Sequence, residues 1–178
     1  MADHSINALR AAARAMTEVV LPAIDPRHPL AAEQAGLVAK YLHLFAERID
    51  FVGARNRFEL QHYGALAEAL AADARRLSPA IAEALDTAAA GAGALLRDPA
   101  ARPSALQAAA RELAALVGAL VRTAAEAEPG LRRRIEQRVL ADAGALMQMQ
   151  RAWFLPQGWE PDPAAVPPLE RLLGPAAD

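Results

Sequence analysis

SPAIAEALDTAAAGAGALLRDP, residues 78–99, is a helix whose start and stop are both written into the sequence. Ser78 is suited to cap a helix. Pro79 takes the first helical position, where its missing N–H would be unpaired in any case. Ile81, Leu85, Ala88, Ala92 and Leu95 then recur at the three- and four-residue spacing of one helix face, and Asp98-Pro99 ends the run.

The same punctuation extends in both directions. A first helix is expected from about Ser5 to Leu21, with Ile6, Leu9, Ala13, Met16 and Val20 on one face, stopped by Pro22. A second runs from about Leu30 to Arg48 behind Pro29. Asn56-x-x-Glu59 can cap a third that reaches Arg76. No proline separates Leu30 from Leu77, so the second and third can equally be one rod kinked near Gly53. Ser104-x-x-Gln107 has the capping-box spacing for a fifth helix, which carries Leu106, Leu113, Val117, Leu120 and Val121 and reads as pure core. After Pro129-Gly130 a sixth runs from about Leu131 to Phe154.

About a quarter of the residues are alanine, the best helix former, and no segment alternates with the two-residue period of a strand. The expected fold is therefore all-α: an antiparallel bundle of about six helices over 1–155. A Pro-rich tail, 156–178, follows. Trp159, Val166, Leu169, Leu172 and Leu173 give that tail enough apolar area to lie on the bundle or on a partner.

Composition narrows the function classes. A net charge of −2 offers no general attraction to nucleic acid or to an anionic membrane, and neither partner is expected. The uncharged apolar runs fall short of the roughly 20 residues that span a bilayer. The N-terminal Met1–Asn7 has no leader-like apolar segment, so a cytoplasmic location is expected. With no cysteine, thiol nucleophiles and thiolate metal sites are absent. Ser5, Ser78 and Ser104 read as caps, no Gly-x-Ser-x-Gly elbow is present, and Gly91-Ala92-Gly93 follows no strand. Hydrolase and nucleotide-binding chemistry lack residues to carry them. The arginines at 132–134 and 138 lie among Glu126, Glu128 and Glu136 and read as an ion-paired face.

Large rings gather in two stretches: Tyr41, Phe45, Phe51, Phe58 and Tyr63, then Trp153, Phe154 and Trp159. Projected at 100° per residue, the same regions hold polar residues on apolar stripes. Gln34 falls among Leu30, Leu37, Val38, Tyr41 and Phe45. Glu59, His62 and Asp73 lie near the line of Tyr63, Leu66 and Leu70, and Asp142 lies between Val139 and Leu146. Such groups need partners when buried. Local ones are at hand: Asn56 for Glu59, Arg76 for Asp73 and Arg138 for Asp142.

The candidate pocket lies between helices two, three and six, lined by Gln34, Tyr41, Phe45, Phe58, Glu59, His62, Tyr63, Leu66, Asp142 and Trp153. A small apolar ligand or a partner helix is its expected occupant, and Ala-rich faces allow a homodimer. Glu59-x-x-His62 has the spacing of one half of a carboxylate-bridged di-iron site. Its second half is missing, so no cofactor is expected, and Glu59, His62 and Asp142 are the only metal-ligand candidates, none of them favoured. A metal-dependent enzyme on those residues and an accessory subunit of a neighbouring enzyme are the alternatives to a binding protein. An enzymatic role is not the favoured one.

Overall fold

Proline and serine set most helix boundaries. The computed structural model describes residues 4–174, so Met1–Asp3 and the last four residues of the tail lie outside it. Among the described residues every regular element is helical, and the fold is an all-α antiparallel bundle.

The first helix comprises α1 (His4–Ala15), a π-helical turn (Met16–Val20) and α2 (Leu21–Ala23). The expected stop at Pro22 is overtaken by one residue. At the widened turn the Leu21 N–H reaches back five residues to Met16 O, which makes room for a ring that would strike the carbonyl one α-turn earlier. After the loop 24–28, α3 (Pro29–Arg48) begins on its proline and returns antiparallel along α1.

α3 runs through a 3₁₀ turn (Ile49–Phe51) directly into α4 (Val52–Leu77). The second and third expected helices are thus one helical run. Its irregularity lies at Arg48 (φ −114°, ψ −11°) and Phe51 (φ −92°, ψ −6°), ahead of Gly53. Because α4 starts at Val52, Asn56 is an interior residue and the expected Asn56–Glu59 cap does not form. The Asn56 amide instead donates to Pro103 O at 2.9 Å.

Ser78 alone connects α4 to α5 (Pro79–Arg97), its Oγ accepting from the Ile81 N–H as the sequence indicates. α6 (Pro103–Ala124) starts on Pro103, one residue before Ser104, so the Ser104–Gln107 box does not form either. α7 (Pro129–Phe154) is capped by the Glu128 carboxylate, which accepts from the Gly130 and Leu131 N–H groups at 2.7 and 3.1 Å. Those two bonds hold Glu128 below the ordinary carboxylate range. Short 3₁₀ turns (Leu155–Gln157 and Pro163–Ala165) and α8 (Leu169–Leu173) complete the chain.

α4 packs against α5, α6 and α7. Leu60, Leu70, Leu85, Leu106, Leu113, Leu120 and Ile135, all essentially inaccessible, form the main core. α6 has the length and mean hydropathy to cross a membrane by composition alone, although Arg111 and Glu112 interrupt it; here its leucine face is buried on α4 and α5. A second cluster joins Phe51, Met149, Ala152 and Trp153 to Val166 and Leu169 of the tail, while Trp159 stays 60% exposed. Arg151 grips Glu160 through two bonds of 2.9 and 2.6 Å, holding the tail to α7.

The junction of α3 with α4 also seals neighbouring helix ends. Arg48 donates to Trp153 O (3.0 Å) and Ala152 O (3.3 Å), carbonyls that lack helical partners at the end of α7. Arg57 does the same for α5 through Leu96 O (3.0 Å) and Asp98 O (2.7 Å). Burial draws the Arg48 guanidinium below its ordinary value, and the charges of Glu47 and Glu170 oppose this. Replacing Arg48 with Met leaves two inward carbonyls unpaired, and a loss of about 1–3 kcal/mol in urea unfolding is expected. Leu70→Ala, in the main core, is expected to cost about 2–5 kcal/mol in the same experiment.

Candidate functional site

α6 and α7 both pack on α4 yet touch each other little, so a trough opens between them with α4 as its floor. Tyr63 and Leu66, three residues apart on α4, lie along that floor because residues at this spacing share a helix face. Val117, Gly118 and Val121 of α6 form one wall, and Val139, Ala143 and Leu146 of α7 form the other. This apolar stretch encloses about 400 Å³. Tyr63, Ala114 and Leu146 also border a second, polar depression of about 270 Å³, lined by Arg55, Glu59, Gln107, Arg111 and Gln150.

The polar end is cross-linked. The Glu59 carboxylate accepts from Arg55 Nε at 2.9 Å and from Gln150 Nε2 at 3.4 Å, and the Arg55 guanidinium lies 4.4 Å over the Trp153 ring. The pair is mostly screened from solvent, with side-chain exposures of 23% and 16%, which makes Arg55 and Glu59 structural partners of each other. Arg111 lines the same stretch and has no ion pair among the described residues. Arg122, which borders the apolar stretch beside Gly118, is likewise without an ion pair among the described residues, so the trough carries two open cations.

His62 borders the apolar end, its ring edge-on to Tyr63 at 5.2 Å between centroids and 78° between planes. Burial pushes the His62 pKa below its ordinary value, outweighing the opposing charge of Asp142. Near neutrality the imidazole is therefore uncharged. Burial pushes the Tyr63 hydroxyl up, with the Glu59 charge adding to the effect, so it stays protonated.

The residues expected to share one pocket divide into three groups. Glu59, His62, Tyr63 and Leu66 line the trough, and Asp142 acts on His62 through its charge. Phe58 and Trp153 belong to the second core. Gln34, Tyr41 and Phe45 are solvent-exposed on α3 and belong to neither the trough nor the second core. The reason is connectivity: α3 leads on into α4 and has α1 as its main packing partner.

Among the described residues no three His, Asp or Glu side chains converge as a metal site would need, and Glu59 is already engaged by Arg55 and Gln150. Asp73 pairs with Arg134 of α7 at 2.9 Å and not with Arg76. Asp142 makes no ion pair with Arg138. The α6 wall was hidden in the sequence because Ala114 and Gly118 look like helix filler. What marks them is their absence of bulk opposite Tyr63.

No family model matches the sequence, and neither curated proteins nor solved structures provide a match.

His62 generates a pH dependence of fixed sign. With its folded pKa below 6.5, the unfolded chain takes up a proton at this position before the folded chain does. Stability therefore falls as pH drops below about 6.5. Glu128 and Glu160, held below 4.5 by their hydrogen bonds, act only at lower pH. Melting temperatures taken from pH 7.5 to 5.5 are expected to decline for the native chain, with a visibly shallower slope for His62→Gln.

Proposed function

We propose that this protein is a small-molecule binding module whose α4–α6–α7 trough takes an elongated amphipathic ligand, apolar along its body and anionic at one end. The observation that carries this reading is that the apolar stretch and the polar one adjoin, with Tyr63, Ala114 and Leu146 lining both. Binding sites for small ligands combine this kind of apolar lining with a few placed polar groups, and their volumes are of the same order. Tyr63 and Leu66 supply the floor for a chain of methylenes. Neutral His62 adds no charge to the apolar stretch, and Arg122 is the cation that borders it. In the polar stretch Arg111 is the cation free to meet a carboxylate, since Arg55 is held by Glu59.

Nothing in the trough activates a nucleophile, so the residues support retention of a ligand better than its conversion. Trp153 lies beneath Arg55 at the polar end and serves as a built-in reporter. In a Trp159→Phe background, Trp153 emission is expected to change in a saturable way on titration with dodecanoate, and more weakly with dodecanol. Arg111→Gln is expected to weaken dodecanoate about fivefold, an exposed charge-assisted contact being worth about 1 kcal/mol, and to leave dodecanol unchanged. Absence of saturable binding by either compound at millimolar concentration refutes the proposal.

A further inference from the structure

α3 wears its hydrophobic face outward. Its buried positions are Ala39, Leu44 and Ala46, and α1 is its main neighbour. Leu30, Leu37, Val38, Tyr41 and Phe45 are 67, 37, 46, 43 and 51% exposed, with exposed Gln34 among them. At 100° per residue these six positions occupy an arc of about 100°, away from Ala39 and Ala46 and bordered beyond Leu37 by buried Leu44. Tyr41 and Phe45 stack on each other at 6.5 Å between centroids. A helix normally directs such a stripe at its own core.

We infer that the stripe is covered by α3 of a second copy, the two helices running antiparallel about a two-fold axis between Leu37 and Val38. The sequence is self-complementary about that point. Leu30 comes opposite Phe45 of the second copy, Gln34 opposite Tyr41 and Leu37 opposite Val38, so each ring meets a smaller side chain. Gln34, the polar residue of the stripe, gains a phenol as its hydrogen-bonding neighbour. Closed two-fold pairing of this kind is the commonest form of self-assembly.

Charge selects the same arrangement. Glu33, Lys40 and Glu47 follow one edge of the stripe at seven-residue intervals. Among the described residues neither Glu33 nor Lys40 has an ion-pair partner within the chain. The antiparallel register brings Glu33 beside Lys40 of the second copy, twice by symmetry. It sets Glu47 near the start of the second α3, where the helix dipole favours an acid. A parallel register would set the two copies of this edge on opposite sides of the pair and join none of these charges.

The available area is of the right order. At roughly 150–250 Å² for a large side chain, the five fractions leave about 450 Å² exposed per copy. A symmetric pair therefore buries about 900 Å² from these side chains alone. The stems of Glu33, Gln34 and Lys40 bring the total near the roughly 1,200 Å² of a stable interface.

The test is mass in solution by sedimentation equilibrium on the full chain from 1 to 200 µM, with helicity checked by circular dichroism. A dimer of the 18.8 kDa chain is expected. Phe45→Glu is expected to weaken it at least about a hundredfold without loss of helicity, the substituted side chain being exposed in the single copy. Glu33→Lys alone and Lys40→Glu alone are each expected to weaken it about tenfold, and the double exchange is expected to restore it. Leu140→Gln, which removes an even more exposed leucine from α7, is expected to change nothing. A monomer at every concentration overturns the inference and leaves the stripe to a different protein. A dimer indifferent to Phe45→Glu, or one that the charge exchange fails to restore, overturns it as well.

Discussion

Arginine side chains closing helix ends are the constraint on which the remaining packing rests. A helix leaves its last carbonyls without partners, and a helix end turned toward the protein interior cannot leave them to water. Arg48 and Arg57 answer this for α7 and α5, while Asn56 reaches the first residue of α6. Three helix termini are thereby fixed by ten residues of continuous helix. The position of α7 relative to α4, and with it the width of the trough, follows from where Arg48 holds the α7 end. Arg55, between these caps, ties Trp153 and Glu59 into the same girdle.

Much of the secondary structure was legible because proline and serine have strong local effects. Ser78-Pro79, Pro29 and Pro129 do in the fold what they do in isolation. The misread caps share one cause. Asn56 and Ser104 have the right chemistry at the right spacing, but a helix that begins a few residues earlier makes them interior, and the starting point depends on the preceding chain. Glu128 as the cap of α7 was missed because it looked like one more acid beside a basic run. Pro22 was read as a stop, and a five-residue widening of the helix absorbs it.

Periodicity located stripes but not what they face. On α4 the stripe of Tyr63, Leu66 and Leu70 meets the chain's own helices, and Glu59 and His62 beside it do line a cleft. On α3 an equally clean stripe points to solvent, while Ala39, Leu44 and Ala46 are the buried positions. The projection treats Ala as neutral filler, whereas packing prefers it where backbones come near. The same blindness hid Ala114 and Gly118. Size, as much as polarity, decides which face turns inward.

The bond between Arg48 and Trp153 joins positions 105 residues apart, while the contacts among α4, α5 and α6 all fall within residues 52–124. During synthesis, at roughly 5–20 residues per second, those three helices can therefore settle against one another while α7 is still being made. The seal at the end of α7 must wait for Trp153, and the cover over Phe51 and Trp153 for Val166 and Leu169. The order of synthesis therefore leaves the apolar seam of the three-helix unit to be covered last.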